Sequence, residues 1–256
     1  RPTFVSLVDK SGSGEDVLRK LENHRVNTRY IRKTRDGMGS WLAVFDNDGD
    51  VFASISKRPD LLPIVDILDD HGDEIFAKAD SVVIELDIDK EIVKRVFQLA
   101  EKYGKKVYAV VANMSIAVER RDFLQQAECF VCNQQEAGIL FSDDYSHLDA
   151  EHMELVLAEK VRLARINSMI VTMGGAGAVY ADSQGNSGFC PARNVTVKDT
   201  TGAGDAFCAG AALGLTYGKN LAEACRIGTY LAASVIITSE NVCPRFLPEE
   251  LGLEIK

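Results

Sequence analysis

Positive charge is scarce in this sequence. Its 256 residues include 29 lysines and arginines against 38 aspartates and glutamates, which gives a formal net charge of −9 at pH 7. A protein that binds nucleic acid over a broad surface usually carries a basic face, so the charge balance argues against a nucleic-acid partner. A small anionic ligand stays possible, because backbone N–H groups bind phosphate without net positive charge.

Long apolar runs are also missing. No stretch reaches the roughly 18 consecutive apolar residues that a membrane-spanning helix needs, so we expect no membrane partner. Hydrophobic residues make up 46% of the chain and charged residues 26%, which is ordinary for a globular protein. The length fits one large domain or a domain with a small addition.

The six cysteines lack the spacing of a complete zinc site. Cys129 and Cys132 lie three residues apart on a predicted strand, so their side chains should face opposite sides of the sheet. The sequence holds no second such pair to complete a zinc site. We therefore expect free thiols, mostly buried, in a protein of the reducing cytoplasm.

Strands and helices alternate along most of the chain. Strands are predicted near 82–86, 107–111, 129–132 and 169–172, with helices near 90–103, 116–125, 134–141 and 150–165. This alternation predicts an α/β fold with a mostly parallel sheet. A hairpin near 178–190 and two apolar helices near 203–217 and 221–238 complete the pattern.

The first quarter of the chain has a different organisation. A strand is predicted at 4–8, a turn at Gly12 and Gly14, and a helix at about 15–23. Short β-prone pieces follow, separated by the turn signals Asp36-Gly37, Gly39 and Asn47-Asp48-Gly49. We predict that residues 26–56, including the piece Tyr30-Ile31, form a small antiparallel element inserted in an α/β domain of residues 1–25 and 57–256.

The segment Asp199-Thr-Thr-Gly-Ala-Gly-Asp205 carries the strongest chemical signal. It follows the β-prone stretch Val195–Val197 and opens an apolar helix. Small residues at 202–204 let the backbone approach a ligand, and free N–H groups at a helix N-terminus bind anions. A carboxylate beside such a turn suits phosphate transfer to an alcohol, because it can accept the hydroxyl proton. Asp205 alone could equally be an acid that complements the helix dipole.

The same segment resembles the C-terminal signature of the ribokinase-like carbohydrate kinases. Asn133-Gln-Gln-Glu136 looks like the family's Asn-x-x-Glu, and Thr172-Met-Gly-Gly-Ala-Gly177 looks like its nucleotide-binding glycine turn. Residues 26–56 look like the β-sheet lid over the substrate. The resemblance implies a three-layer α/β/α fold and transfer of the γ-phosphate of ATP to a hydroxyl of a sugar or nucleoside.

The resemblance also assigns roles by position. Asp205 corresponds to the catalytic base, and the anion hole corresponds to Gly202, Ala203 and Gly204. The nucleotide contacts correspond to Thr172, Gly174 and Gly177, and the Mg²⁺ and phosphate support to Asn133 and Glu136. A monovalent cation, usually K⁺, would be held by Asp199 and Thr201 with help from 236–241. Gly39 and Trp41 are candidate substrate contacts, and the lid is the expected surface of a homodimer.

Several of these positions have a second interpretation. Asn133 and Glu136 have the spacing of a helix capping box. The glycines at 174–177 could simply form a tight turn before a hairpin, and Trp41 could simply pack on its sheet. A dinucleotide-binding oxidoreductase is disfavoured, because Tyr180 stands where the third glycine of that fingerprint belongs.

The sequence departs from the family in three places. The acidic residue and the Gly-Gly-x-x-x-Asn segment that precede the first strand in the family are not present, so the N-terminal strands are expected to be missing. Asp9-Lys10 replaces the usual Gly-Asp, and Ala112-Asn113 stands where Asp-Pro is common. The stretch from Asn113 to Asn133 looks somewhat like pseudouridine kinases. The alternative is an inactive ligand-binding or regulatory member of the fold.

Overall fold

A computed structural model describes residues 1–45, 51–111, 113–114, 118–240, 242–244 and 246–253. The turn signal Asn47–Gly49, the start of the helix predicted at 116 and the expected cation ligand Asn241 lie outside these residues. The chain forms two compact units, one of residues 1–78 and 88–99 and the other of residues 79–87 and 100–256. No helix in the described part of the chain is both long and apolar enough to cross a membrane.

The first unit begins with a strand, a helix and a second strand. They are β1 (Thr3–Val8), α1 (Gly12–Asn23) and β2 (Asn27–Lys33). β1 and β2 pair in parallel, because the intervening helix carries the chain back to the start of the sheet. The antiparallel arrangement that we predicted for Tyr30-Ile31 is therefore wrong: both residues lie in β2, beside β1.

The turn that we predicted at Gly12 and Gly14 is also wrong, because both glycines lie inside α1. Ser11 caps this helix by accepting a hydrogen bond from the backbone N–H of Gly14. Gly14 is required by packing rather than by a turn, since a Cβ there would lie 2.3 Å from the carbonyl oxygen of Asp9.

Two strands form the antiparallel hairpin expected for the lid, β3 (Ser40–Phe45) and β4 (Val51–Lys57). Leu42 pairs with Ile55, so the two side chains share one face of the hairpin with Val44. This face is open to solvent: the exposed fractions of Leu42 and Ile55 are 64% and 71%. Two helices complete the unit, α2 (Pro63–Lys78) and most of α3 (Lys90–Lys102).

The second unit is built on one six-stranded sheet. Its strands are β5 (Ser81–Glu85), β6 (Lys106–Val110), β7 (Cys129–Asn133), β8 (Ser168–Thr172), β9 (Gly177–Asp182) and β10 (Ser187–Pro191). They lie in the order β10-β9-β8-β7-β6-β5. The four strands from β5 to β8 are parallel, whereas β9 is antiparallel to both of its neighbours, β8 and β10. The mostly parallel sheet that we predicted is therefore confirmed.

Helices cover both faces of this sheet. They are α4 (Arg121–Gln126), α5 (Gln134–Phe141), α6 (Ala150–Ala164), α7 (Ala203–Thr216) and α8 (Leu221–Ile236). Cys129 and Val131 of β7 face the core that contains α7 and α8, while Phe130 between them is also fully buried. Alternate residues buried on opposite sides are typical of a sheet between two helical layers, so the three-layer arrangement is confirmed for this unit.

All six cysteines are free thiols, as expected, and all except Cys243 are buried. Cys129, Cys190, Cys208 and Cys225 belong to one core between the sheet and the two C-terminal helices. Burial raises the pKa of Cys129 to about 12, because the thiolate would lose its hydration. These thiols therefore act as small apolar side chains.

The β-prone stretch Val195–Val197 does not form a strand. It lies in a loop between β10 and α7. The backbone N–H groups of Lys198 and Asp199 both donate to the carbonyl oxygen of Ile236, at 2.7 and 3.4 Å. These bonds hold the loop against the end of α8 and direct the chain into α7.

Glycines let α7 and α8 pack very closely. A Cβ on Gly210 would lie 2.8 Å from the Cα of Gly228, and one on Gly214 would lie 3.0 Å from the Cα of Ala224. The pairing of 210 with 228 and of 214 with 224 makes the helices antiparallel. The C-terminal end of α8 therefore lies level with the N-terminal end of α7.

We expect Gly210→Ala to lower the free energy of unfolding by about 1–3 kcal/mol, because the new methyl group meets backbone that cannot move aside. Urea unfolding followed by circular dichroism measures the change. Gly12→Ala is the matched control in a helix, since nothing lies within 4 Å of its Cβ position and the substitution should be neutral or slightly stabilising. Equal stability of Gly210→Ala and the parent would contradict this packing.

Candidate active site

The signature segment forms a turn that opens directly into α7. Gly202 is the N-cap residue, with a φ of 82° that favours glycine, and no side chain caps the helix. A Cβ on Gly204 would meet nothing within 4 Å, so the packing of the chain itself does not require glycine there. The backbone N–H of Ala203 donates to the carbonyl oxygen of Thr200 at 3.1 Å, so it is not free for a ligand. Among the described residues, no bond within the chain uses the N–H groups of Gly204 and Asp205, and these groups lie beside open space, as an anion site needs.

Asp205 lies in the first turn of α7, beside this open space. Its side chain is exposed and makes no hydrogen bond or ion pair with any residue that the structure describes. It therefore does not cap the helix, although its charge still complements the helix dipole. The carboxylate is free to accept a proton from a bound molecule.

Asn133 and Glu136 form the capping box that their spacing allows. The backbone N–H of Glu136 donates to Asn133 Oδ1 at 2.8 Å, and the backbone N–H of Asn133 donates to Glu136 Oε2 at 2.7 Å. The pair stabilises the start of α5 and fixes the Glu136 carboxylate at the carboxyl end of β7. A structural role is thus established for both residues, and it leaves Glu136 Oε1 outside the capping box.

Glu136 lies in an unfavourable environment for a negative charge. Burial raises the pKa of its carboxyl group, and the nearby charge of Asp87 raises it further, while the hydrogen bond from the Asn133 N–H lowers it. Asp87 follows β5 and is only 4% exposed. Two acids therefore approach each other at one end of the sheet.

Asp87 was not among the residues that we predicted. It directly follows a predicted parallel strand, and the position of an acid at that end of the sheet was the signal that could have identified it. Single acids are common after strands, so the signal was weak without the neighbouring Glu136.

Thr172 ends β8 and pairs across the sheet with Asn133 at the end of β7. The sheet thus brings these two predicted residues together at its carboxyl edge, where open α/β sheets bind ligands. The glycine turn follows at once. Gly174 has a φ of 55°, and nothing lies within 4 Å of a Cβ position at Gly174 or Gly175.

Gly177 has a structural reason to be glycine. Its φ is 127°, and a Cβ there would lie 2.2 Å from the carbonyl oxygen of Cys190. The tight-turn interpretation therefore explains Gly177 without a ligand. It does not explain the open space at Gly174 and Gly175, which leaves room for a bound group.

The predicted cation ligands Asp199 and Thr201 are joined to each other. The backbone N–H of Thr201 donates to Asp199 Oδ1 at 2.8 Å, and this hydrogen bonding lowers the pKa of Asp199. The described residues contain no group of three or more histidine, cysteine or acidic side chains that could hold a metal ion. Any cation here would need further ligands from backbone oxygens, water or a bound phosphate.

The predicted substrate residues Gly39 and Trp41 lie in the other unit, at the start of the hairpin. Trp41 is 59% exposed, so sheet packing does not account for this large aromatic side chain. A Cβ on Gly39 would lie 3.0 Å from the carbonyl oxygen of Lys57, which is a tight contact within the hairpin.

Comparison with known proteins identifies the family. The family described as pfkB family carbohydrate kinase matches residues 1–248. The guanosine-inosine kinase of Exiguobacterium acetylicum is 35% identical over 243 residues, which cover 93% of this chain and 78% of that protein. The deoxyribokinase of Salmonella typhi is 30% identical over 214 residues, which cover 79% of this chain and 66% of that protein.

The fold has a counterpart among solved structures. The structure of Arabidopsis thaliana ribokinase complexed with ribose and ATP aligns with a TM-score of 0.78 at 20% sequence identity. The alignment covers 94% of this chain and 79% of that one. The ribokinase-like fold that we predicted is therefore confirmed.

Glu136→Gln should raise the stability of the protein at pH 8 and not at pH 4. A raised pKa means that the contribution of Glu136 to stability is present below its ordinary pKa and is lost as the pH rises through the folded-state pKa. The neutral amide keeps an oxygen for the Asn133 N–H and removes the buried charge. Urea unfolding at both pH values, with EDTA present, measures the difference.

The matched control is Glu223→Gln, in the capping box at the start of α8. Glu223→Gln should not give a stability gain that appears only at high pH. A loss of stability at pH 8 in Glu136→Gln would contradict the unfavourable environment inferred for this carboxylate.

Proposed function

The chain belongs to the pfkB family of carbohydrate kinases and is thus a small-molecule kinase, and we propose that it transfers the γ-phosphate of ATP to a hydroxyl group of a nucleoside. The observation that carries the proposal is the open, uncapped turn at Gly202–Gly204 beside the carboxylate of Asp205, which has no partner among the described residues. The nucleoside is preferred to a free sugar because the guanosine-inosine kinase shares 35% identity over 93% of this chain.

Asp205 acts as the base in this proposal. Its carboxylate accepts the proton of the acceptor hydroxyl as the oxygen attacks the γ-phosphorus of ATP, the bond from that phosphorus to the β-γ bridging oxygen breaks, and ADP leaves. The exposed position of the carboxylate suits this role, because no bond to a residue that the structure describes has to break first. Asp205 also orients the hydroxyl before the reaction.

The turn at residues 202–204 acts as the anion hole. Backbone N–H groups at the start of α7 donate to the oxygens of the transferred phosphoryl group, and the helix dipole favours their negative charge. The open space at Gly204 supports this role, since a side chain there would occupy the position of the phosphate. Thr172, Gly174 and Gly177 form the proposed nucleotide turn. Gly177 contributes by allowing the tight turn, not by contacting the nucleotide.

Mg²⁺ would lie near Glu136 and Asn133. The half-buried carboxylate of Glu136, with the charge of Asp87 close by, offers oxygen ligands to a hard cation. The described residues bring no third acid to this pair, which suits Mg²⁺, because this ion keeps several waters and takes its other ligands from phosphate. When bound, the ion neutralises charge on the nucleotide phosphates.

Asp199 and Thr201 are the proposed ligands of a monovalent cation. The cation would be K⁺, as the resemblance to the family implies.

The acceptor would contact Gly39 and Trp41 of the hairpin. An exposed tryptophan suits a nucleoside better than a free sugar, because a purine base stacks on an aromatic face.

Reduced thiols and ATP both favour the cytoplasm as the location of the reaction.

A phosphorylation assay tests the reaction itself. ATP consumption would be followed with guanosine, inosine, pseudouridine, deoxyribose and ribose as acceptors. We expect turnover with one or both purine nucleosides. ATP binding without turnover on any acceptor would favour an inactive, ligand-binding member of the fold.

Asp205→Asn should reduce turnover at least 100-fold while nucleotide affinity stays nearly unchanged, since general-base catalysis contributes about 10²–10⁴-fold. Steady-state kinetics and ADP titration measure the two quantities. The matched control is Glu151→Gln, which removes an acid from the first turn of α6. Activity of Asp205→Asn close to that of the parent would exclude the proposed base.

We expect a homodimer formed through the hairpin face of Leu42, Val44 and Ile55. Three large apolar side chains on one exposed face are unusual for a surface with no partner. Sedimentation velocity of the parent and of Ile55→Lys measures the oligomeric state, and the variant should be monomeric. Leu163→Lys, on an exposed position of α6, is the control that should stay dimeric. A monomeric parent at micromolar concentration would rule out this interface.

A further inference from the structure

An arginine stands where helices usually carry a hydrogen-bond acceptor. Arg120 is the N-cap residue of α4, and its side chain makes no capping hydrogen bond to that helix. Serine, threonine, asparagine and aspartate are favoured at this position, because their oxygens accept bonds from the free N–H groups of the first turn. The positive end of the helix dipole also disfavours a cation there. A residue that breaks two local rules at once calls for a different explanation.

The side chain of Arg120 reaches the sheet instead. Its Nη1 donates to the backbone carbonyl oxygen of Leu86, a fully buried residue. Leu86 directly follows β5, and its own N–H donates to the carbonyl oxygen of Val110, at the end of β6, at 3.0 Å. The guanidinium therefore binds at the carboxyl edge of the sheet, at the residue before Asp87.

This bond restricts the position of Asp87. A carbonyl oxygen that accepts a bond from a cation is held more firmly than one that accepts from a neutral N–H. The peptide group between Leu86 and Asp87 is planar, so fixing the oxygen of Leu86 also fixes the Cα of Asp87. Asp87 is only 4% exposed, which leaves its side chain little freedom.

The order of the strands brings Asp87 towards Glu136. β6 lies between β5 and β7, so the ends of β5 and β7 are about 10 Å apart. Glu136 is held at the end of β7 by its capping box. The charge of Asp87 raises the pKa of Glu136, which agrees with two carboxylates that approach each other across the end of β6. Like charges repel, so the pair needs a group that keeps Asp87 in place.

We propose that Arg120 is a positioning residue for the metal, which holds the chain at Leu86 so that Asp87 stays beside Glu136 against their mutual repulsion. Residues that orient the ligands of a metal ion change its affinity about 10–100-fold when they are removed. Arg120 itself does not contact the nucleotide. This inference rests on the proposed function, because it concerns the Mg²⁺ site assigned there to Asp87 and Glu136.

The sign of the change in Mg²⁺ binding distinguishes positioning from charge alone. A guanidinium near two carboxylates repels Mg²⁺, so the loss of its charge alone should tighten Mg²⁺ binding. The loss of the bond to Leu86 should instead let Asp87 move away from Glu136 and weaken Mg²⁺ binding. The two roles of Arg120 thus predict opposite results for the same substitution.

Calorimetric titration with ADP, in excess Mg²⁺ and in EDTA, measures this change without any turnover. In Arg120→Ala the affinity in Mg²⁺ should fall about 10-fold, while the affinity in EDTA should change less than about two-fold. Arg120→Met keeps the apolar stem of the side chain and should behave in the same way, so it serves if the alanine variant does not fold. Arg120→Lys keeps a donor that can reach the carbonyl of Leu86 and should restore most of the affinity in Mg²⁺.

A double variant tests whether Arg120 acts through Asp87. Asp87→Asn alone should also weaken ADP binding in Mg²⁺ and not in EDTA. Arg120→Ala combined with Asp87→Asn should bind ADP no more weakly than Asp87→Asn, because both changes act through one carboxylate. Fully additive losses would show that Arg120 acts by another route and would overturn the inference.

Arg121→Ala is the matched control. Arg121 donates to the carbonyl oxygen of Leu140 at 2.9 Å, so this variant also removes an arginine-to-backbone bond made from the start of α4. It should bind ADP as the parent does in both conditions. Unchanged or tighter binding in Mg²⁺ by Arg120→Ala would overturn the inference. So would equal losses in Mg²⁺ and EDTA, or a parent whose ADP affinity does not rise with Mg²⁺.

Kinetics separate this inference from the proposed function. Arg120→Ala should need more Mg²⁺ for half-maximal rate and should leave the KM for the acceptor unchanged at saturating Mg²⁺. A parent whose Mg²⁺-dependent ADP binding needs Arg120, but which phosphorylates no acceptor, would refute the function and keep the inference. A parent with turnover in which Arg120→Ala raises only the acceptor KM would refute the inference and keep the function.

Discussion

The close contact between α7 and α8 is the constraint on which the candidate site depends. Gly210 and Gly228 let the two backbones touch, and this contact sets the relative height of the helices. Because the helices are antiparallel, the last turn of α8 lies beside the first turn of α7. The carbonyl oxygen of Ile236 can then hold the loop that enters the signature turn. A structural contact about two helical turns away thus determines where the proposed anion hole opens.

Glycine occupies its positions in this chain for two separate physical reasons. Gly14, Gly177 and Gly210 are required by the chain's own backbone, which leaves no room for a methyl group. Gly174 and Gly204 face open space, where a small side chain would meet no atom of the described chain, although the φ of 55° at Gly174 also favours glycine. The second group lies in the two turns assigned to the nucleotide. This division distinguishes glycines that maintain the fold from those that leave room for a ligand, and sequence alone cannot make it.

The sequence predicted the parts of the fold that local pattern determines. The buried strands, the capping box at Asn133 and the apolar C-terminal helices follow from periodicity and spacing, and each occurs where it was expected. Gly12 and Gly14 were misread because glycine signals a turn equally well when a neighbouring backbone is what excludes a side chain. Asp87 follows a predicted strand, which was only a weak signal, because its neighbour Glu136 is distant in sequence and the sheet alone brings the two acids near each other.

The buried cysteines have a consequence for following the motions of this protein. Only the thiolate reacts quickly with alkylating reagents, and burial keeps Cys129 both protonated and out of reach. Its modification therefore needs the core between the sheet and the two C-terminal helices to separate. The rate of labelling reports how often that happens. The labelling rate of Cys129, measured by mass spectrometry, thus reports transient opening of the second unit without any introduced cysteine.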